Sequence, residues 1–132
     1  MHSVCFGNNE EAVPVGNPVV HFEIMTKDAA ALRDFYAKVF DWRSKPAEGA
    51  SGVDYGIIEN GAGVGGGIGE APAGYDGHVT FYVGVPDVAA MLERIEEQGG
   101  TRMMGPDQVP GGPLIALFRD PHNHTIGLVQ TP

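Results

Sequence analysis

His21 and Glu23 stand two residues apart in the run VVHFEIM, residues 19–25. In an extended strand that spacing puts both side chains on one face, about 6.6 Å apart along the chain. An imidazole that titrates near neutrality beside a carboxylate can serve as a general acid–base pair, so His21 and Glu23 are the catalytic candidates. The same two residues can equally be polar lining, hydrogen-bonded to each other or to a neighbouring strand. A second run, HVTFYVGV at 78–85, sorts His78, Thr80 and Tyr82 onto one face in the same way. The five residues His21, Glu23, His78, Thr80 and Tyr82 are the candidate ligand-binding set.

The flanking sequence says which way these faces point. Alternation places Val20, Phe22 and Ile24 opposite to Val19, His21, Glu23 and Met25. Asp28 can cap a helix near 28–40 whose Leu32, Phe35, Tyr36, Val39 and Phe40 fall on one side. That apolar stripe needs an apolar seat, and Val20, Phe22 and Ile24 supply one. The pattern then recurs. Val79, Phe81, Val83 and Val85 alternate against His78, Thr80 and Tyr82, Asp87 caps a helix near 87–98, and Gly99-Gly100 ends it. Two such units imply an internal duplication. Aligning the two capping aspartates makes Thr80 the counterpart of His21, and Tyr82 that of Glu23. The polar faces are then turned away from both helices.

The remaining segments complete the two units. Residues 1–16 lack periodicity and read as a flexible N-terminal arm that includes His2 and Cys5, neither given a role. Strands are expected over 41–47 and 53–59, separated by a loop at 48–52 and followed by an Asn60-Gly61 turn. The run GAGVGGGIG at 61–69 has neither the following Lys-Ser/Thr nor the helix of a phosphate loop. It reads instead as a short strand whose glycines admit a neighbouring backbone or a ligand. Residues 71–76 link the units, and strands at 102–108, 113–118 and 124–130 close the second. Gly105-Pro106 interrupts the first of these. The prediction is an α+β domain of two βαβββ modules, 17–70 and 77–132, with eight strands and two main helices on one side. His122 and His124 fall in a turn, where they either face solvent or collect adventitious nickel or zinc. Tyr36, Phe40 and Trp42 are expected to pack in the interior.

Composition bounds the function. The chain has 132 residues and a formal charge of −9 from 17 acidic and eight basic residues. The scattered cations argue against nucleic acid as a partner. No stretch reaches a membrane span of about 18 apolar residues, and the N-terminus lacks the pattern of a secretory signal. With a single cysteine, Cys5, the fold must rest on packing, and a reducing, cytoplasmic setting is expected.

The segments VHFEI with Asp28, DFYAKVFDW at 34–42, VTFYVGVPDVAAMLERIEEQGG at 79–100 and PLIALFRDPHNHTIGLVQ at 113–130 together resemble the vicinal oxygen chelate superfamily. That superfamily includes glyoxalase I, extradiol dioxygenases and bleomycin-resistance proteins, and the resemblance is to its small glyoxalase-like members. It implies paired βαβββ modules whose mixed sheets curl around a cavity, with the helices outside, and a homodimer. Metal-holding members place ligands on the first and last strands of each module. His21 meets the first of these points, but Thr80 and Gly127 stand at two others and the 61–69 run offers no ligand side chain. The expectation is therefore a protein that binds a small organic molecule, with no cofactor. A metal-dependent lyase, isomerase or dioxygenase is the alternative, as is a metal-free acid–base enzyme using His21 and Glu23. A metal set of His21, Glu23 and His78 has suitable donor types, although His78 lies two residues before the matching point.

Overall fold

A computed structural model describes residues 15–47 and 54–132. The expected loop at 48–52, and the arm apart from its last two residues, lie outside the described residues. Ten elements follow in order: β1 (Val19–Thr26), α1 (Ala29–Phe40), β2 (Arg43–Pro46), β3 (Tyr55–Glu59), β4 (Gly66–Glu70), β5 (His78–Val85), α2 (Val88–Glu97), β6 (Thr101–Gln108), β7 (Leu114–Arg119) and β8 (Thr125–Gln130). The eight strands form one mixed, curled sheet in the order β2-β3-β4-β1-β5-β8-β7-β6. The α+β class is as expected.

The duplication is visible in local chemistry. Asp28 accepts from the Ala31 amide and Asp87 from the Ala90 amide, each satisfying a free donor at its helix start. A side chain from each half's last strand takes one more: Glu70 accepts from the Ala29 amide, and Gln130 from that of Val88. β1 runs parallel to β4, β5 runs parallel to β8, and the halves join where β1 and β5 pair antiparallel. Phe22 lies opposite Phe81, and these two are counterparts, so a pseudo-twofold axis passes through that pair.

Each half keeps its own core. Ala29, Ile58 and Ile68 form one with Phe22, Ile24, Leu32, Tyr36 and Trp42 packed on it. Val85, Val88, Leu92, Ala116 and Leu128 form the other, under α2. Tyr36 and Trp42 pack on the first core as expected, whereas Phe40 touches both rings at 5.3–5.6 Å but stays 54% exposed, contrary to the expected interior place. Two other details differ from the sequence reading. The alternation holds from His21 onward but slips at a bulge before it, where Val19 opposes Val83 and Val20 turns to the cradle of Gly84. Further, Val79 stays 78% exposed and Phe81 38%, so no described helix covers this part of β5.

Candidate functional site

β1 and β5 carry the expected residues onto the sheet face opposite the helices, where His21 sits across from Tyr82 and Glu23 across from Thr80. Glu23 is the hub. Its carboxylate accepts from the Tyr55 hydroxyl at 3.0 Å, from His78 Nε2 at 2.7 Å and from the Tyr82 hydroxyl at 3.1 Å. It is 8% exposed. Burying a carboxylate this deeply is costly unless donors replace its hydration, and three donors do so here. Two further bonds extend the chain. His21 Nε2 meets the Tyr55 oxygen at 2.9 Å, and the Tyr75 hydroxyl meets His78 Nδ1 at 2.6 Å.

The directions of these bonds follow from the inventory of donors. Tyr55 spends its proton on Glu23, so its oxygen accepts from His21 Nε2–H. His78 likewise gives its Nε2 proton to Glu23, and its Nδ1 meets the Tyr75 hydroxyl. Neutral His21 then presents Nδ1 as a free acceptor, with no partner among the described residues. Burial holds His21 below the usual imidazole range, against the opposing pull of the Glu23 charge. The Tyr55 and Tyr82 phenols are pushed well above theirs, by burial first and by the neighbouring Glu23 carboxylate second.

The glycine-rich strand makes room for this arrangement. A Cβ at Gly67 would meet the Tyr55 ring, and one at Gly127 would stand 2.6 Å from the Tyr82 ring. Gly67 pairs with Glu23 in β4 and Gly127 with Tyr82 in β8. Each tyrosine therefore occupies the space that a side chain on the last strand of a module would need. The expected close approach to the glycines is real, and the visitor is an aromatic ring of the same chain. Tyr55 and Tyr75 were not anticipated. The signal for Tyr55 was its alternation with Ile57 and Glu59 opposite a strand lacking side chains; Tyr75, before β5, had none.

Thr80 is buried with its hydroxyl turned to the Thr125 carbonyl. His122 and His124 lie exposed in the β7–β8 turn, where Asp120 accepts both backbone amides and contacts the His124 ring. Hollows on the described surface include two near the sheet edges. One of about 300 Å³, lined by Arg33, Lys45, Asp54 and Tyr55 among others, reaches the edge of the cluster. The other, of about 510 Å³, lies near Gln108 and Gln130. None of the five expected residues lines either hollow.

A divalent ion fits this donor set poorly. Among the described residues no three His, Cys, Asp or Glu side chains are grouped to hold one. The Tyr55 hydroxyl stands between His21 Nε2 and Glu23 Oε1, and His78 is committed to Glu23 as a donor.

Residues 19–128 match the family described as the Glyoxalase/Bleomycin resistance protein/Dioxygenase superfamily, and the chain belongs to it. Among curated proteins the sequence matches none. Similar solved structures include a hypothetical protein from Bacillus halodurans, with TM-score 0.66, 12% identity, and 89% of this chain and 96% of that one covered. A methylmalonyl-CoA epimerase from Streptomyces coelicolor superposes with TM-score 0.63 at 19% identity, covering 87% and 97%. The Mycobacterium tuberculosis epimerase does so with 0.57 at 15%, covering 86% and 87%. At these identities the likeness is one of fold. No described helix is long and apolar enough to cross a membrane.

Proposed function

We propose that the protein binds a small organic molecule on the curled sheet face, at a site built from hydrogen bonds without a metal. One observation carries this reading: both oxygens of the Glu23 carboxylate already accept hydrogen bonds, from Tyr55, His78 and Tyr82. Spent in this way, it organises the site from below. Thr80 and Tyr82, at 6% exposure each, support it as well. His21, Tyr55 and the half-buried Tyr75 are left to meet a ligand. A metal-dependent lyase, isomerase or dioxygenase would need donors that Thr80 and Gly127 do not supply. The epimerases lend this chain their fold; their substrate is not carried over.

The test is a thermal-shift screen of small molecules on untagged protein, run with a chelator and again with zinc. Ligands that stabilise the protein equally in both conditions support the proposal. A stabilisation seen only with metal would refute it.

A second reading is favoured by the free Nδ1 of His21. Backed by Tyr55 and Glu23, it is placed to take a proton from a bound ligand, as a metal-free acid–base enzyme requires. Ligand turnover that disappears in His21→Gln, while binding remains, would establish it. We further propose a cytoplasmic homodimer. Val79 and Phe81 lie beside the pseudo-twofold axis, so a second copy could set the same strip against them isologously.

A further inference from the structure

The acidic balance of the chain suggests a cationic ligand, but the charges at the site point the other way. Both oxygens of Glu23 already accept hydrogen bonds from the protein. Five of the eight basic residues pair with carboxylates. Among the described residues Arg43, Arg94 and Arg119 have no such partner. Arg94 belongs to α2, across the sheet from the cluster, and Arg43 lies on the edge strand β2 opposite Glu59. Arg119 differs from both. It ends β7 opposite Thr125, whose carbonyl receives the Thr80 hydroxyl. Ala116 and Phe118 of the same strand turn into the core under α2, so alternation turns Arg119 to the curled face. Its neighbour Asp120 has committed its carboxylate to the turn. The Tyr75 phenol feels the charges of both Arg119 and Glu23.

We propose that Arg119 is the charged anchor of the site, and that its ligand is an organic anion carrying a carboxylate or a similarly planar oxyanion. The inference rests on the proposal that the curled face binds a small molecule, and it names the class. A guanidinium grips a carboxylate through two parallel N–H donors, which fixes orientation as well as charge. Tyr75 and His21 then lie along the ligand body. The overall negative charge does not overrule this, because exposed charges farther than about 8 Å are largely screened at physiological ionic strength.

Benzoate, benzyl alcohol and benzylammonium offer one ring with three charges, and NMR titration of the untagged protein would compare them at His21, Tyr75 and Arg119. Benzoate is expected to bind at least about tenfold more tightly than either of the others. Arg119→Gln, an exposed substitution compatible with folding, should abolish that preference and leave benzyl alcohol unchanged. Equal or tighter binding of benzylammonium would overturn the inference, as would a preference that survives Arg119→Gln. If benzyl alcohol binds at these residues as well as benzoate does, the binding reading stands and the anion class falls. If no probe moves the His21 signals, both fall.

Discussion

Glu23 binds its three donors in competition with water, so altering it should cost more than altering any one of them. Glu23→Gln keeps the shape but turns an amide donor toward groups that also donate. A loss of about 3 kcal/mol is expected, against about 1 kcal/mol for Tyr55→Phe. Urea unfolding of the three proteins would check the order, and a Tyr55→Phe loss equal to that of Glu23→Gln would mean the hub is not Glu23. His21 supplies a pH dependence of known sign. Its folded-state pKa lies below 6.5, while the unfolded chain keeps the ordinary value. As pH falls through that value the unfolded state takes up a proton that the folded state refuses, so stability declines below about pH 6.5 and is level above it. Melting temperatures between about pH 8 and about pH 5 should fall less steeply in His21→Gln. Identical slopes would remove His21 from the account.

At the scale of elements, the two tyrosine–glycine contacts are the parts to perturb. Gly127→Ala brings a methyl group within 2.6 Å of the Tyr82 ring. Overpacking of this kind costs roughly 1–3 kcal/mol. Adding Tyr82→Ala should make Gly127→Ala nearly neutral, and a double-mutant cycle on stability would show the coupling. Additive losses would place the strain elsewhere. The same contacts show what the sequence revealed and what it hid. Strict alternation, two capping aspartates and a repeated strand–helix pattern made β1, α1, β5 and α2 legible almost to the residue. His21, Glu23 and His78 could be sorted onto one face by the same means. Tyr55 could not be joined to them, because the hairpin of β3 with the glycine strand β4 reaches Glu23 only through the parallel pairing of β4 with the distant β1. The exposure of Val79 and Phe81 was hidden for a similar reason. Apolar alternation shows that a face is suited to burial, but not which helix moves over it.

For the molecule as a whole, Val79 is the sharpest probe. Val79 is 78% exposed beside a part-exposed Phe81, which is the strip that the proposed homodimer would cover. Val79→Glu should give a monomer by analytical ultracentrifugation while the far-UV spectrum is unchanged. A dimer that persists would move the interface elsewhere.

The axis through Phe22 and Phe81 carries a further consequence. Glu23 and Tyr82 are counterparts across it, yet they hydrogen-bond to each other. Two identical half-chains related by that axis would have to place like beside like. Two glutamates there would force carboxylate against carboxylate, and one would have to hold its proton. Two tyrosines would leave no anion to organise the cluster. With both halves in one chain, the counterparts need not be alike. An acid facing a phenol at a symmetry axis is therefore open to a fused gene but closed to a symmetric pair of single modules.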